Sequence, residues 1–406
     1  MRQSAAELVQ GVPPGPIGPL ARPAYRLCTR CIMDTSAEGI TFDAGGMCRF
    51  CRLHDALERE YPTGHEGEAK LAALLARIRR QGRGRAHDCV LGLSGGRDST
   101  YMLYLAVREW GLRPLAVHFN DGFDNPVAGE NIKKAVDRLG VPLRTITSDW
   151  RESKDIRIAF LRASTPTLET GTDLGIFAAL YGAAAREGLR YVLTAHSFRT
   201  EGIAPLTWTY VDGRYLDAVH RRFGAVRRRG WRPLDPGFNL GLRHLAYYIL
   251  VRGIRALTPM YYVDYVRKRA EPLIAAELGW QNPGAHYFDD LYQSLLWHVH
   301  RVKFGIDKRR FNYSALVRSG QLGRAEALER IGRLYSLEDP KFIGLCIKRL
   351  GLTESDLGQI LAAPPRSFRD YPNDLRVLSL LRPLVWLASR LQLVPLATYD
   401  KFFHCG

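Results

Sequence analysis

The 406-residue chain is short of cysteine, of acidic side chains and of long apolar runs, and each shortage excludes something. Seven cysteines do not form a sensible disulfide set, which argues against a small secreted scaffold. No charge-free run reaches the ~20 apolar residues that span a bilayer as a helix. No apolar stretch behind a basic flank opens the chain, as a secretory signal would. A cytoplasmic location is the expectation. Asp and Glu number 41 against 58 Lys and Arg, a formal charge of +17. That balance points to a polyanion: nucleic acid, anionic lipid or a phosphate-bearing small substrate. Charge alone does not choose among the three. Apolar residues, by contrast, make up 46% of the chain, ample for ordered cores in two or three domains.

A Walker phosphate loop is also missing. In its place the apolar run Cys89-Val90-Leu91-Gly92-Leu93 leads into Ser94-Gly95-Gly96-Arg97-Asp98-Ser99. A strand that runs through small residues into a helix cradles anions. Glycines let backbone N–H groups approach closely, and the helix adds its positive end. The helix is legible in Met102, Leu103, Ala106, Val107 and Trp110, with Gly111 as the stop.

Four of the cysteines pair off as Cys28-x-x-Cys31 and Cys48-x-x-Cys51, with sixteen residues between the pairs. Each knuckle can place two sulfurs on one metal, and four thiolates leave no open position, so structural zinc is the expectation. An iron–sulfur cluster and a redox dithiol compete with it. Cys89, Cys346 and Cys405 are isolated and read as packing residues.

Between residues 88 and 195 strands alternate with helices. Strands are expected at Pro114–Asn120, Val141–Ser148 and Arg190–Ala195, and helices near 129–139, 151–163 and 173–187. This alternation predicts an α/β fold with a parallel sheet covered by helices, whose ligands sit beyond the carboxyl ends of the strands. Three such ends carry polar residues: Ser94 to Ser99, Asn120-Asp121-Gly122, and His196 to Gly202. Asp173, with Thr172, reads as a helix cap.

The expected organisation is an arm over 1–24, a metal knuckle over 25–55, a nucleotide domain over 56–205 and a mainly helical substrate region over 206–370. A C-terminal amphipathic segment over 371–406 completes it. A helical stretch near 54–81 links knuckle to sheet. Arg221, Arg222, Arg227, Arg228, Arg229 and Arg232 read as a basic loop for an anionic partner. In the last segment Leu378, Leu381, Val385, Ala388 and Leu391 or Gln392 follow helical spacing, and Pro383 kinks the helix or begins a second one. The segment either docks on the core or lies on anionic lipid as a peripheral membrane contact.

The Ser94–Ser99 loop resembles the SGGxDS loop of the ATP pyrophosphatases, which cleave ATP to AMP and pyrophosphate while adenylating a substrate oxygen. Cys28-Thr29-Arg30-Cys31-Ile32-Met33-Asp34-Thr35 and Gly39-Ile40-Thr41-Phe42-Asp43, placed before that loop, resemble the N-acetyl sugar amidotransferases of bacterial surface-polysaccharide (LPS O-antigen) biosynthesis. Lys303-Phe304-Gly305, Tyr313 through Gly320, and the start at Gly323-Arg324-Ala325 are similar to that family's late segments. The chain differs where the family has lysine at Arg97, and at Thr194-Ala195-His196-Ser197 and Thr200-Glu201-Gly202. The resemblance implies an adenine nucleotide α-hydrolase-like (PP-loop) domain that uses ATP and Mg²⁺ and carries structural Zn²⁺. The nitrogen acceptor is then a nucleotide N-acetyl sugar or related anionic sugar, and the product an amidine.

In this chemistry Ser94, Gly95, Gly96, Arg97, Asp98, Ser99 and Asp121 serve ATP, with Asp98 or Asp121 on Mg²⁺. Asp98, His196 and Glu201 are the candidate catalytic residues, and Cys28, Cys31, Cys48 and Cys51 the metal ligands. Asp98 as a first-turn carboxylate, and His196 as a strand-end residue, are the plainer alternatives. The chain has no glutaminase nucleophile, since no cysteine lies at residue 2 or in a Gly-x-Cys-x-Gly elbow. A separate glutaminase and an ammonia-delivering partner are therefore implied. tRNA thiolation and uronamide formation are the rival reactions; a nucleic acid partner is not expected.

Overall fold

Five short apolar segments lie side by side, all parallel: β1 (Cys89–Gly92), β2 (Pro114–Asn120), β3 (Leu143–Thr147), β4 (Tyr191–Leu193) and β5 (Arg255–Leu257). Their order is β3-β2-β1-β4-β5 in this computed structural model. It describes residues 24–231, 237–284, 289–333 and 339–391, with Leu393, Tyr399, Phe402 and Phe403. The arm expected before residue 24, Arg232, Gln392 and Cys405 lie outside the described residues.

Residue parity divides the core into two layers, because successive strand side chains point to opposite faces. Val90, Val117 and Val192 pack with Ile156, Phe160, Leu174, Leu216 and Leu295. These come from the helices Trp150–Ala163, Thr170–Arg186, Gly213–Phe223 and Tyr292–Phe304. Cys89, Leu91, Ala116 and Leu193 pack the other way, with Ile78, Leu103, Ile132 and Ile274. Those belong to Gly64–Gln81, Arg97–Tyr104, Pro126–Leu139 and Arg267–Leu278. Burial on both faces explains why the central strands read as unbroken apolar runs. The edge strand β3 instead exposes every second residue.

The region after residue 240 is mainly helical, and one short strand in it, β5, joins the sheet beside β4. The first apolar layer draws its residues from Val90 to Tyr371, on both sides of residue 205. The stretch near 54–81 is two helices, Arg49–Glu60 and Gly64–Gln81. Pro62 divides them by keeping Tyr61 out of helical geometry.

The basic loop is built into the fold. Arg221 and Arg222 end the helix Gly213–Phe223, and Arg228 pairs with Asp217 at 2.7 Å. Two buried carboxylates then hold the backbone. Asp155 accepts from the N–H groups of Ala225 and Val226, and Glu152 from those of Arg229 and Gly230. Arg221, Arg222, Arg227 and Arg229 remain exposed. Among the described residues no helix is long and apolar enough to cross a membrane.

Candidate active site

β1 occupies the centre of the sheet, and its neighbours β2 and β4 lie on opposite sides, so the chain reverses direction of travel here. The crevice at such a point is where ligands of open α/β sheets bind. Leu93 to Gly96 carries the chain from β1 into the helix Arg97–Tyr104. Gly95 has φ +78°, and a Cβ there would stand 2.1 Å from the Ala128 carbonyl oxygen. Only glycine fits. The Gly95 carbonyl accepts from Asn131 Nδ2 and Trp280 Nε1, each at 3.1 Å. The planar trans peptide therefore aims the Gly96 N–H the opposite way, toward Ser94 Oγ at 3.4 Å. Ser94 Oγ lies 3.1 Å from Ser99 Oγ, to which Ser94 N–H also donates at 3.2 Å. Hydroxyls and N–H groups thus converge at a helix N-terminus, as an anion requires.

Asp98 is buried in the first turn of that helix. It accepts from Arg97 Nε at 2.8 Å and from the Tyr265 hydroxyl in a short hydrogen bond. Glu201, from the loop after β4, hydrogen-bonds Asp98. Burial, then the Asp98 charge, drives the Glu201 carboxyl well above the usual carboxylate range, so Glu201 keeps the proton of the pair. On its far side Glu201 Oε2 lies 3.2 Å from His196 Nε2, and His196 Nδ1 lies 3.1 Å from the Tyr261 hydroxyl. Asp98, Glu201 and His196 therefore meet in one line of titratable groups. Tyr261 and Tyr265, visible in the sequence only among many aromatics, close its two ends.

Arg97 lines the cavity. Its guanidinium is directed to Asp98, to Tyr265 at 3.0 Å and to Glu271 at 2.8 Å, so it braces Asp98. A planar fork can reach three acceptors at once, whereas lysine offers a compact point charge. Asp121 lines the same cavity. Its Oδ2 accepts from Arg157 at 2.5 Å and Thr172 at 2.7 Å, a buried ion pair at the end of β2. Thr172 and Asp173 do not cap a helix. The helix begins earlier, at Thr170, so both lie within its first turn and line the cavity.

That cavity, of about 370 Å³, opens between the loop, the ends of β2 and β4, and residues 280–283 and 289–293. Asp289 lies against Gly96, where a Cβ would come 3.1 Å from its carboxylate. Burial raises the Asp289 carboxyl, and burial with the neighbouring Asp121 raises Asp290 well above the usual range. Neither carboxylate carried a recognisable motif in the sequence.

The four cysteines come together as expected. All are fully buried, and their sulfurs lie within 4.8 Å of one another, with contacts of 3.7–3.8 Å. A tetrahedral ion with ~2.3 Å bonds to sulfur needs an edge of about 3.8 Å. A cubane cluster binds its four thiolates on four separate irons and would spread them further apart. The N–H groups of Arg30, Cys31 and Cys48 point at Cys28 Sγ from 3.2–3.5 Å, an environment suited to thiolate. The late segments of the chain seat this knuckle. Arg310 donates to the Ile32 carbonyl, Arg318 reaches Cys31 Sγ, and Arg324 donates to the carbonyls of Cys28 and Cys31. Cys89 and Cys346 pack in the core, and burial pushes the Cys346 thiol up to about 12.

Residues 287–382 match the family model described as LPS biosynthesis protein WbpG-like, C-terminal domain. This segment is WbpG-like. It supplies Asp289, Asp290 and Gln293 to the cavity and the arginines that seat the knuckle. Within it Lys303 donates to Ser164 Oγ at 2.8 Å and to the Ile360 carbonyl, a buried splice between helices. No curated protein matches the chain.

Solved structures that it resembles include an NMN synthetase from Francisella tularensis, at 16% identity over 70% of this chain and 96% of that one, with a TM-score of 0.28. Another is the U34-tRNA thiolase NcsA from Methanococcus maripaludis with its [4Fe-4S] cluster, at 14% identity over 71% and 91%, TM-score 0.29. A third is a predicted subunit of tRNA methyltransferase from Methanocaldococcus jannaschii, at 14% identity over 46% and 75%, TM-score 0.24.

Proposed function

We propose that the chain is an ATP-dependent enzyme that adenylates the acetamido oxygen of a nucleotide N-acetyl sugar and replaces it with nitrogen from ammonia. The observation that carries this reading is the junction of an anion loop with the Asp98–Glu201–His196 line. Transfer of AMP to the amide oxygen releases pyrophosphate and makes that oxygen a good leaving group. Ammonia then adds to the amide carbon, AMP leaves, and one proton is lost as the amidine forms. The loop N–H groups and the hydroxyls of Ser94 and Ser99 hold the pyrophosphate portion. Bound Mg²⁺ neutralises phosphate charge. Asp98 and Glu201 suit it, because two adjoining buried carboxylates repel unless a proton or a cation lies between them. Once Glu201 has released its proton, His196 is placed to take one from incoming ammonium or from the adduct.

The match to an LPS biosynthesis family supports a surface-polysaccharide substrate. The cavity lining includes no cysteine among the described residues, which favours nitrogen over sulfur transfer. In this reading the tetrathiolate holds structural zinc, and a separate glutaminase with its ammonia-delivering partner supplies nitrogen. The test is to incubate purified protein with ATP, ammonium and a panel of nucleotide N-acetyl sugars, following AMP release and sugar mass. AMP, pyrophosphate and the amidine are expected with ammonium, and no turnover with glutamine until a glutaminase is added. ADP and phosphate as products, or sulfur entering tRNA with no change in any sugar, would overturn the reading.

A further inference from the structure

The C-terminal helices Leu375–Leu380 and Arg382–Arg390 each carry two apolar stripes. The inner one, Leu378, Val385 and Ala388, is half-buried, and Pro383 opens the second helix. The outer stripe is uncovered. Leu380 is 83% exposed, Leu384 63%, Leu387 48% and Leu391 56%. Leu384, Leu387 and Leu391 recur at three- and four-residue spacing, hence on one face of the second helix. Trp386, also exposed, has Arg390 over its ring at 5.6 Å.

Charge singles out the occupant. Arg376, Arg382 and Arg390 flank the stripe, and no Asp or Glu occurs from Leu375 through Tyr399. The same pairing of features recurs elsewhere on the surface. Tyr247, Leu250 and Val251 are exposed between Arg243 and Arg252, and no carboxylate occurs between Asp235 and Asp264. A protein partner covering such a stripe would ordinarily meet it with neutral or mixed polar groups. An apolar face flanked along its two helices by three arginines, with Asp374 before them paired to Arg214, on a chain of net charge +17, is complementary to a surface that is apolar inside and anionic at its rim.

We propose that the helix pair Leu375–Arg390 lies on an anionic bilayer surface, with Leu380, Leu384, Leu387 and Leu391 in the acyl boundary and the arginines among the headgroups. This would hold an enzyme of surface-polysaccharide building blocks beside the membrane without spanning it. The proposal does not depend on the reaction proposed above, since it rests on surface chemistry alone.

The test is sedimentation of the full-length protein with vesicles of phosphatidylcholine alone or containing phosphatidylglycerol. The expected result is at least about tenfold tighter binding to the anionic vesicles, weakened by salt. Leu384→Asp with Leu387→Asp should lower that binding by about tenfold or more while the thermal midpoint stays unchanged, because both positions are already exposed. Arg376→Gln with Arg382→Gln and Arg390→Gln should remove the preference for phosphatidylglycerol. Absence of vesicle binding, equal binding to both vesicle types, or indifference to either set of substitutions overturns the proposal. So does a two-chain mass in light scattering that the aspartate pair reduces to one, without vesicle binding, for then a second copy covers the face.

Discussion

Glu201 and Asp98 face each other as two carboxylates, and burial, then the Asp98 charge, raises the Glu201 carboxyl well above the usual range, so that Glu201 carries the proton. Removing a carboxylate should therefore separate stability from activity. Glu201→Gln is expected to leave the fold at least as stable as the parent near neutral pH, because the amide needs no proton to sit buried beside the Asp98 charge. The same variant should lose AMP formation by about a hundredfold or more, as should Asp98→Asn. Thermal melts and AMP release measured on one preparation check both halves. Gly95→Ala should be worse for ATP turnover than either, since its Cβ collides with the Ala128 carbonyl at 2.1 Å in a left-handed conformation. The residue pattern of this loop was legible in the sequence because strand, glycines and helix all agree locally. What Arg97 does was not legible. Its partners Tyr265 and Glu271 lie 168 and 174 residues away, and nothing local encodes them.

The helix Tyr292–Phe304 holds His300 fully inside the WbpG-like segment. Its Nε2 lies 2.6 Å from the Pro166 carbonyl oxygen and so carries the proton, while Nδ1 is buried with no hydrogen-bond partner. Burial, then the Lys308 charge, pulls its pKa down to about 3. Above pH ~6.5 the imidazole is neutral in both folded and unfolded chains and contributes no pH dependence. Below that, the unfolded chain binds a proton that the folded one refuses, so stability falls as pH drops, levelling near the folded value. Between pH 6.5 and 4.5 the loss from this one group is about 2.3 kcal/mol, and His300→Gln should flatten that part of the curve in denaturant titrations.

Element boundaries show the same division between local and distant causes. β2 was expected at Pro114–Asn120 and found there, because its apolar run is long and its apolar residues are buried. β5 escaped notice because Arg255–Leu257 is three residues long and becomes a strand only by pairing with β4. The basic loop divides similarly. Arg228→Gln should destabilise the fold by about 2 kcal/mol through its half-buried pair with Asp217. Arg227→Gln with Arg229→Gln should leave the melt unchanged and weaken association with an anionic substrate or partner in a salt-sensitive way.

At the scale of the whole molecule, the knuckle ties the beginning of the described chain to its WbpG-like segment. Cys28→Ser should release the metal and lower stability by several kcal/mol, read by metal analysis alongside a melt. Metal-free protein that melts like the parent would exclude a structural site. The seat of the knuckle also sets a timetable. Ile32 and its partner Arg310 are separated by 278 positions. A ribosome adding about 5–20 residues per second needs roughly 14–56 seconds to make that span. From the synthesis of Cys51, early in that interval, all four cysteines are present but the arginines that hold their carbonyls are not. The nascent chain thus carries its metal ligands in the open, and this is when cellular metal supply and competing thiol chemistry have their widest access to them.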